Sequence, residues 1–555
     1  KPKNIFVSLV MFKKTVPPQL DMFEDLSFHL SDRKNSILDD PKSWHNVFLR
    51  EVTQRVDESV FEPLFKAGGR PNAPLRVLLA MMILKEGNGW SDEQLFDYCR
   101  FNIRCMRALG LYHVGDDIPV ESTYYEFRRR LTEHNKNEKV DLVGKAFSNA
   151  VRGQIEAFNL RGEKVRMDSK LIQSNIRRAS RLDLILETVR VSITYLELSV
   201  LAGKLDEKDI ALLESLKSKT TSNIAYPLNN EEKKDMLIRL GNIIKHLLPY
   251  CNEGSHLHRL YNEQYHEVED KGDDKGPGKK TLLKEAKELT SDSLQSAHDP
   301  EAAFRRKGHG NSEQQVTGYH ANVTETISDV NEIQLITDVQ TEAANICEDA
   351  FLSPAIEGSN NVLNTDGTWN KTINHVTTDG GYDSKVNRET MALGDSPHWN
   401  MDSHKGGKQR YEIGYDEQGN LTAYCKWTKT HCETSKAQRV DKYLILHKDG
   451  TKRYLTDEQI KNYFILQDHH EKQDPKDINI RANVESTIHQ VFHRLLKRNK
   501  IKYRGKYKCK MYCFSRAYWT NFTRIMKHEV EKAQLLLFLM LWPKYKRNES
   551  LLMVF

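Results

Sequence analysis

The chain has 555 residues, 83 Lys and Arg against 77 Asp and Glu, and a formal net charge of +6. That length implies three or four domains with a sizeable core, and no run approaches the eighteen or so apolar residues of a membrane span, so no membrane partner is expected. The eight Cys are scattered and form no CxxC pair, which argues against a secreted disulfide framework and for a reducing cytoplasm.

Ile5–Phe12 lacks the small-residue cleavage site of a signal peptide, and Met11 is the expected start. Residues 11–60 are polar with scattered helical signals. Pro74–Lys85 (PLRVLLAMMILK) is strongly apolar and predicts a buried helix that begins near a proline. Ser91 with Gln94, and Thr123 with Glu126, read as capping boxes that open two further helices. Arg128, Arg129 and Arg130 lie partly exposed on the last. The module is either a helix-turn-helix-like DNA-binding unit or a plain helical domain with solvated arginines.

The period then changes. In Lys164–Ile172 (KVRMDSKLI), Val165, Met167 and Ser169 alternate with Arg166, Asp168 and Lys170, which predicts a strand carrying Asp168. Residues 181–290 read as helical, with stripes from Leu182 to Val200 and from Met236 to Leu248, most simply two long antiparallel helices. Because strand character returns after Arg306, the block is read as an insertion. A hairpin is expected from Tyr319–Val323 and Ile333–Val339 around Ser328–Asn331, then a short helix at 341–351 and a strand ending in Asp379 before Gly380 and Gly381. Residues 395–470 look irregular, with some strand at Tyr443–Leu446 and Arg453–Leu455. Asp468–Glu471 (DHHE) reads as a solvated loop rather than a metal site. Cys425, Cys432, Cys509 and Cys513 have the wrong spacing for a common zinc ribbon.

Arg481–Arg516 opens as an amphipathic helix with one carboxylate, Glu485, beside the apolar stripe Val484, Ile488, Val491 and Leu495. No acid follows before Glu529, whereas Lys497, Arg498, Lys500, Lys502, Arg504, Lys506, Lys508 and Lys510 crowd the gap with interleaved aromatics. A one-sign run with stacking groups suits a phosphate backbone and unstacked bases. Three acids in this order, two on strands and one on a helix, suit two divalent cations, which take oxygen ligands and act on phosphorus. Leu535–Trp542 reads as a buried helix.

PLRVLLAMMILKEGNGWSDEQLFDYCRFNIRCMRALGL, PVESTYYEFRRRL, VRMDSKLIQSN, HDPEAAFRRKGHGNSEQQVTGYHANVTE, TTDGGYDS and RANVESTIHQVFHRLLKRNKIKYRGKYK together resemble a bacterial insertion-sequence transposase of the DDE class. The resemblance covers roughly residues 65–180 and 295–530. It implies an α/β fold: a ribonuclease H-like mixed sheet flanked by helices, with an amino-terminal all-α domain and a helical insertion. The implied division is an extension at 1–60, a helical DNA-binding domain at 61–160, a catalytic domain at 161–180 and 291–530, the insertion at 181–290 and a tail at 531–555. It matches Asp168, Asp379 and Glu485 to the three catalytic, metal-binding acids, with Asp383 as an alternative second acid. Two Mg²⁺ ions are implied, with Mn²⁺ as a substitute. Arg481, Lys497, Arg498, Arg504 and Lys506, with Arg128 and Arg129, are the expected DNA contacts. Asp299, Arg305 and Arg306 match a motif between the first two acids. Where the motif has a small residue before the second acid, this chain has Thr378, and residues 181–290 have no match. The implied activity is cleavage of transposon ends and their joining to target double-stranded DNA, by a homodimer in the bacterial cytoplasm at the nucleoid. A ribonuclease H-like nuclease or resolvase, and a non-catalytic DNA-binding derivative, are the other classes.

Overall fold

The computed structural model describes residues 12–15, 30–65, 71–113, 115–270, 278–308, 314–363, 373, 375–378, 380–382, 384, 387, 411–425, 429–436, 442–447, 450, 452–457, 460–461, 463–464 and 480–545. It is a mixed α/β structure with an amino-terminal helical region and mixed sheets. Among the described residues no helix is long and apolar enough to cross a membrane.

The helical region holds α1 (Asp32–Leu38), α2 (Trp44–Phe48), α3 (Leu75–Asn88), α4 (Asp92–Phe101), α5 (Ile103–Leu109), α6 (Glu121–Glu138) and α7 (Leu142–Ala157). The apolar run beginning at Pro74 forms α3, with Pro74 as its N-cap, and buries every position from Val77 to Gly87. A helix apolar all round belongs in a core. It stops at Gly89, whose φ of 75° is a left-handed cap that favours glycine. Ser91 and Gln94 form the expected capping box of α4. The box at Thr123 does not form: α6 starts at Glu121 without a side-chain cap. Glu126 instead accepts from Arg129 and Arg130, charge-assisted bonds that outcompete a backbone cap.

The central sheet contains β1 (Lys164–Gln173), β4 (Ala303–Lys307), β5 (Gln314–Thr326), β6 (Ile336–Ala343) and β7 (His375–Thr377). Its path is β4-β5-β1-β7, with β6 also paired to β5. β1 lies antiparallel to β5, with Asp168 opposite Val323, and parallel to β7, with Thr377 opposite Arg166. The expected hairpin is β5–β6. The helix expected at 341–351 starts later, as α13 (Leu352–Leu363), because β6 runs on to Ala343.

The block at 181–290 is not two long helices. It holds α8 (Arg181–Ser192), α9 (Glu207–Ser218), α10 (Thr221–Ala225), α11 (Asn230–Leu247), α12 (His256–Gln264) and the hairpin β2 (Tyr265–Asp270) with β3 (Gly278–Leu283). The stripe beginning at Leu182 breaks where α8 ends at Ser192 and a turn intervenes. This block has its own apolar core, including Ile185, Leu240, Ile244 and Leu260. The stretch read as irregular contains a five-stranded antiparallel sheet in the order β12-β11-β10-β9-β8: β8 (Tyr411–Tyr415), β9 (Leu421–Cys425), β10 (Thr430–Lys436), β11 (Lys442–Leu446) and β12 (Lys452–Thr456). Its strands are short and mostly polar on one face, so little alternation reaches the sequence. Asp468–Glu471 lies outside the described residues.

The chain closes with α14 (Ile480–Phe492) and α15 (Lys506–Tyr545). At 40 residues, α15 spans about 60 Å. Its Cys509, Cys513, Phe514, Ala517, Tyr518 and Phe522 enter one core with α2, α3, α7 and the central sheet. Arg516 on α15 is fully buried. It donates to the carbonyls of Glu86 and Gly87 at the end of α3, and to those of Gln490 and Val491 at the end of α14. Those are the negative ends of two helix dipoles, where a buried guanidinium is best compensated.

Candidate active site

β1 supplies Asp168 from the middle of the central sheet. The residue is half-buried, and the Ser169 amide donates to its Oδ1 at 2.7 Å. Alternation puts Arg166 and Asp168 on one face of β1. Opposite Arg166 stands Glu325 of β5. Glu325 is almost fully buried and accepts from Arg166 Nε at 2.6 Å, Thr487 Oγ1 at 2.7 Å and Arg524 Nη1 at 2.6 Å. Arg524 Nη2 also donates to Thr487 Oγ1 at 2.6 Å. One carboxylate therefore ties β1, β5, α14 and α15 together. Removing it would strand two buried or half-buried guanidinium groups, the costly way to break such a cluster.

Through Thr487 this network fixes α14 over the face that carries Asp168. Ile488, Val491 and Phe492 of α14 are buried, whereas Glu485, two residues before Thr487, is exposed. The backbone of Arg481 lies in the first turn of α14, and its side chain falls outside the described residues. Asp379 and Asp383 also lie outside them. Their described neighbours are held firmly: β7 pairs with β1, and the buried Tyr382 donates its hydroxyl to Asn322 of β5 at 2.6 Å. The carboxylate oxygens of Asp168 and Glu485 are the donor type that Mg²⁺ or Mn²⁺ takes. Among the described residues no three His, Cys, Asp or Glu side chains gather closely enough to hold a metal ion. The four cysteines weighed for zinc are free, and Cys425, Cys509 and Cys513 are buried.

The opposite face of β1 carries a second polar cluster. His320 Nε2 lies 2.9 Å from Ser169 Oγ and its Nδ1 2.9 Å from the Ile346 carbonyl. Burial holds the imidazole well below its usual range, at about 4. Glu348 accepts from Lys307 Nζ at 2.8 Å and from Ser169 Oγ at 3.3 Å. Glu348 is itself buried, which by itself raises its pKa, but Lys307 and the other cations around it hold it below the ordinary glutamate value.

The expected DNA contacts are dispersed. Lys497 and Arg498 are exposed on a 3₁₀ turn between α14 and α15, where Arg498 and Asn499 have φ of 62° and 55°. Such left-handed backbone is uncommon for residues other than glycine. Arg504 is exposed and donates to the Asn175 carbonyl at 2.8 Å, just beyond β1. Lys506 pairs with Glu342. Arg128 packs between rings, its guanidinium 5.5 Å from the centroid of Tyr124 and 5.2 Å from that of Tyr503. Arg129 is exposed but bonded to Glu126 and Glu133. Hydrogen bonds from Arg129 and Arg130 hold Glu126 at about 2. Asp299 is fully buried and accepts from the hydroxyls of Ser174 and Tyr319, and Arg305 donates to the Ile346 carbonyl at 2.6 Å.

Sequence reasoning passed over Glu325, Thr487 and His320, and placed Arg524 only among the basic residues that follow Glu485. The available signal was the alternation of β1, which puts Arg166 beside Asp168 and requires a buried acid opposite it on the next strand.

No curated protein and no solved structure matches the chain. Residues 36–130, the helical region from α1 into α6, match the family described as Transposase domain (DUF772), which supports a transposase family for this chain.

Proposed function

We propose that the protein is a DNA transposase of the DDE class that cleaves transposon ends and joins them to target double-stranded DNA. The observation that carries this reading is the common face of Asp168 and α14: the Glu325 network ties the helix bearing Glu485 to the strand bearing Asp168. The transposase-domain match at residues 36–130 gives independent support. The sheet also fits a ribonuclease H-like core, with β1, β5 and β6 antiparallel in turn and β7 parallel to β1.

In this reading Asp168, Asp379 and Glu485 would hold two Mg²⁺ or Mn²⁺ ions. When bound, such a pair activates the attacking oxygen and stabilises the leaving oxygen in an in-line displacement at phosphorus. The protein's own work is positional. The Ser169 amide orients the Asp168 carboxylate, and the Glu325 network sets the height of α14 over the sheet. Lys497 and Arg498, with Arg481, hold the DNA backbone beside the acids, and Arg504 holds it further along, where β1 ends. Arg128, Arg129 and Lys506 are better placed to support that surface than to touch DNA, because each already has a partner. Pairing two ends calls for a homodimer, acting in the bacterial cytoplasm at the nucleoid.

The test uses purified protein, oligonucleotide duplexes carrying the element's ends, and Mg²⁺. Asp168→Ala, Asp379→Ala and Glu485→Ala should each abolish cleavage while leaving end binding within a few-fold of the unmodified protein. Near-normal cleavage by any of the three removes that residue from the site. Cleavage without strand joining by the unmodified protein would instead indicate a nuclease or resolvase.

A further inference from the structure

Where β1 ends, about 180 Å³ of space opens between the central sheet and the segment that leads from β1 into the 181–290 block. Arg177 and Arg178 line it, with Gln173, Gln295, Gln315 and the ring of Phe304. Both arginines are exposed, and among the described residues they bond to neutral groups: Arg177 Nη1 donates to Ser222 Oγ at 2.9 Å and Arg178 Nη2 to the Gln315 carbonyl at 2.8 Å. The loop joining α14 to α15 runs alongside. Its Lys500 bridges to Gln173 and donates to the Ile176 carbonyl at 3.3 Å, and Arg504 donates to that of Asn175. Lys502, between them, is exposed and donates to the Gly89 carbonyl. Among the described residues, none of these five cations is paired with a carboxylate.

Two like charges lining one cleft, with three more on the loop beside it, repel one another, and a polyanion relieves that cost. The glutamine amides and the phenylalanine ring add hydrogen-bonding and stacking groups of the kind that contact sugars and bases. Gln173 lies five residues beyond Asp168 on β1, roughly 17 Å at strand rise, which corresponds to about five base-pair steps of duplex at 3.4 Å each. We propose that this cleft holds the sugar–phosphate backbone of the bound DNA about five nucleotides from the reacting phosphate, with Arg177 and Arg178 as phosphate contacts. The proposal rests on the transposase reading. It also gives the segment between β1 and α8 a role as one wall of the DNA track.

The experiment measures end-duplex affinity against salt concentration for the full chain, for an Arg177→Gln/Arg178→Gln variant, and for an Arg33→Gln/Lys34→Gln variant. Arg33 and Lys34 are exposed on α1, so the second pair matches the change in net charge away from the cleft. Each lost phosphate contact lowers the slope of log affinity on log salt by about 0.9. The cleft variant should therefore show a slope shallower by about 2, with the control unchanged and all three proteins unfolding at the same temperature. If the unmodified protein binds and the cleft variant keeps its affinity and slope, or the control loses as much, the cleft assignment falls alone. If the unmodified protein does not bind DNA, the transposase reading falls and takes the cleft with it.

Discussion

At the scale of single residues, His320 shows how burial sets charge behind the candidate site. Its side chain is fully enclosed, and Arg305 and Lys307 stand near it along with Glu348. Burial is the largest cause of its lowered pKa, with the two cations adding to it and Glu348 opposing. A histidine at about 4 when folded and about 6.5 when unfolded binds its proton preferentially in the unfolded chain between those values. Stability should therefore fall as pH drops from 6.5 towards 4, by about 3 kcal/mol from this group, and gain nothing further from it below 4. Chemical denaturation at pH 7.5 and pH 5 checks this, with His320→Asn as the comparison. The variant should show a clearly smaller loss between the two pH values, and equal losses would refute the assignment. Little of this was legible in the sequence. Asp168 and Glu485 stood out because each is an acid in an otherwise basic or apolar setting, which is a local pattern. His320, Glu325 and Arg128 owe their roles to partners 150 or more residues away for the first two, and to Tyr503 for the third. No local pattern encodes those pairings.

Elements defined by their own periodicity were the legible ones. β1, the β5–β6 hairpin, β7 and the buried α3 follow from alternation, a polar turn or an unbroken apolar run. The five-stranded β8–β12 sheet and the bounds of α15 did not, because their patterns are short or interrupted by buried polar residues such as Arg516 and Asn521. Glycine at position 318 shows what an element-level constraint looks like once partners are known. β5 passes β1 and β4 there, pairing with Gln173 and with Ala303. A Cβ on residue 318 would stand 2.2 Å from the Ile172 carbonyl oxygen and 2.5 Å from the Ser174 amide. Both are backbone atoms in a sheet, so neither can swing aside as a side chain would. Gly318→Ala should therefore cost about 3 kcal/mol or more, above the usual range for overpacking. It should also loosen the site, because β1 carries Asp168 five residues earlier. Equilibrium urea unfolding gives the cost, and a loss under 1 kcal/mol would mean that the strands can part at this point.

On the scale of the whole molecule, the apolar residues divide into separate bodies of core. One joins α2, α3 and α7 to the central sheet and α15, so the helical region matched to a transposase domain is packed into the same core as the candidate catalytic strands. Arg516 strengthens that union by binding the ends of α3 and α14 at once. The other large core lies inside the 181–290 block and reaches Leu294. Cores that share no buried contacts melt independently when the surface between them is small and polar. The described links here are of that kind, such as Arg259 donating to the Pro300 carbonyl and Arg177 to Ser222. Calorimetry of the full chain should accordingly resolve at least two transitions. Leu240 and Phe147 are both fully buried, one in each core, and truncation to alanine should remove about 2–5 kcal/mol from the host core. Leu240→Ala should lower only the transition of the 181–290 block, and Phe147→Ala only that of the main body. A single transition that moves with either substitution would mean that the block and the main body fold as one unit. The cleft at their junction would then be a rigid part of the core rather than a seam between two bodies.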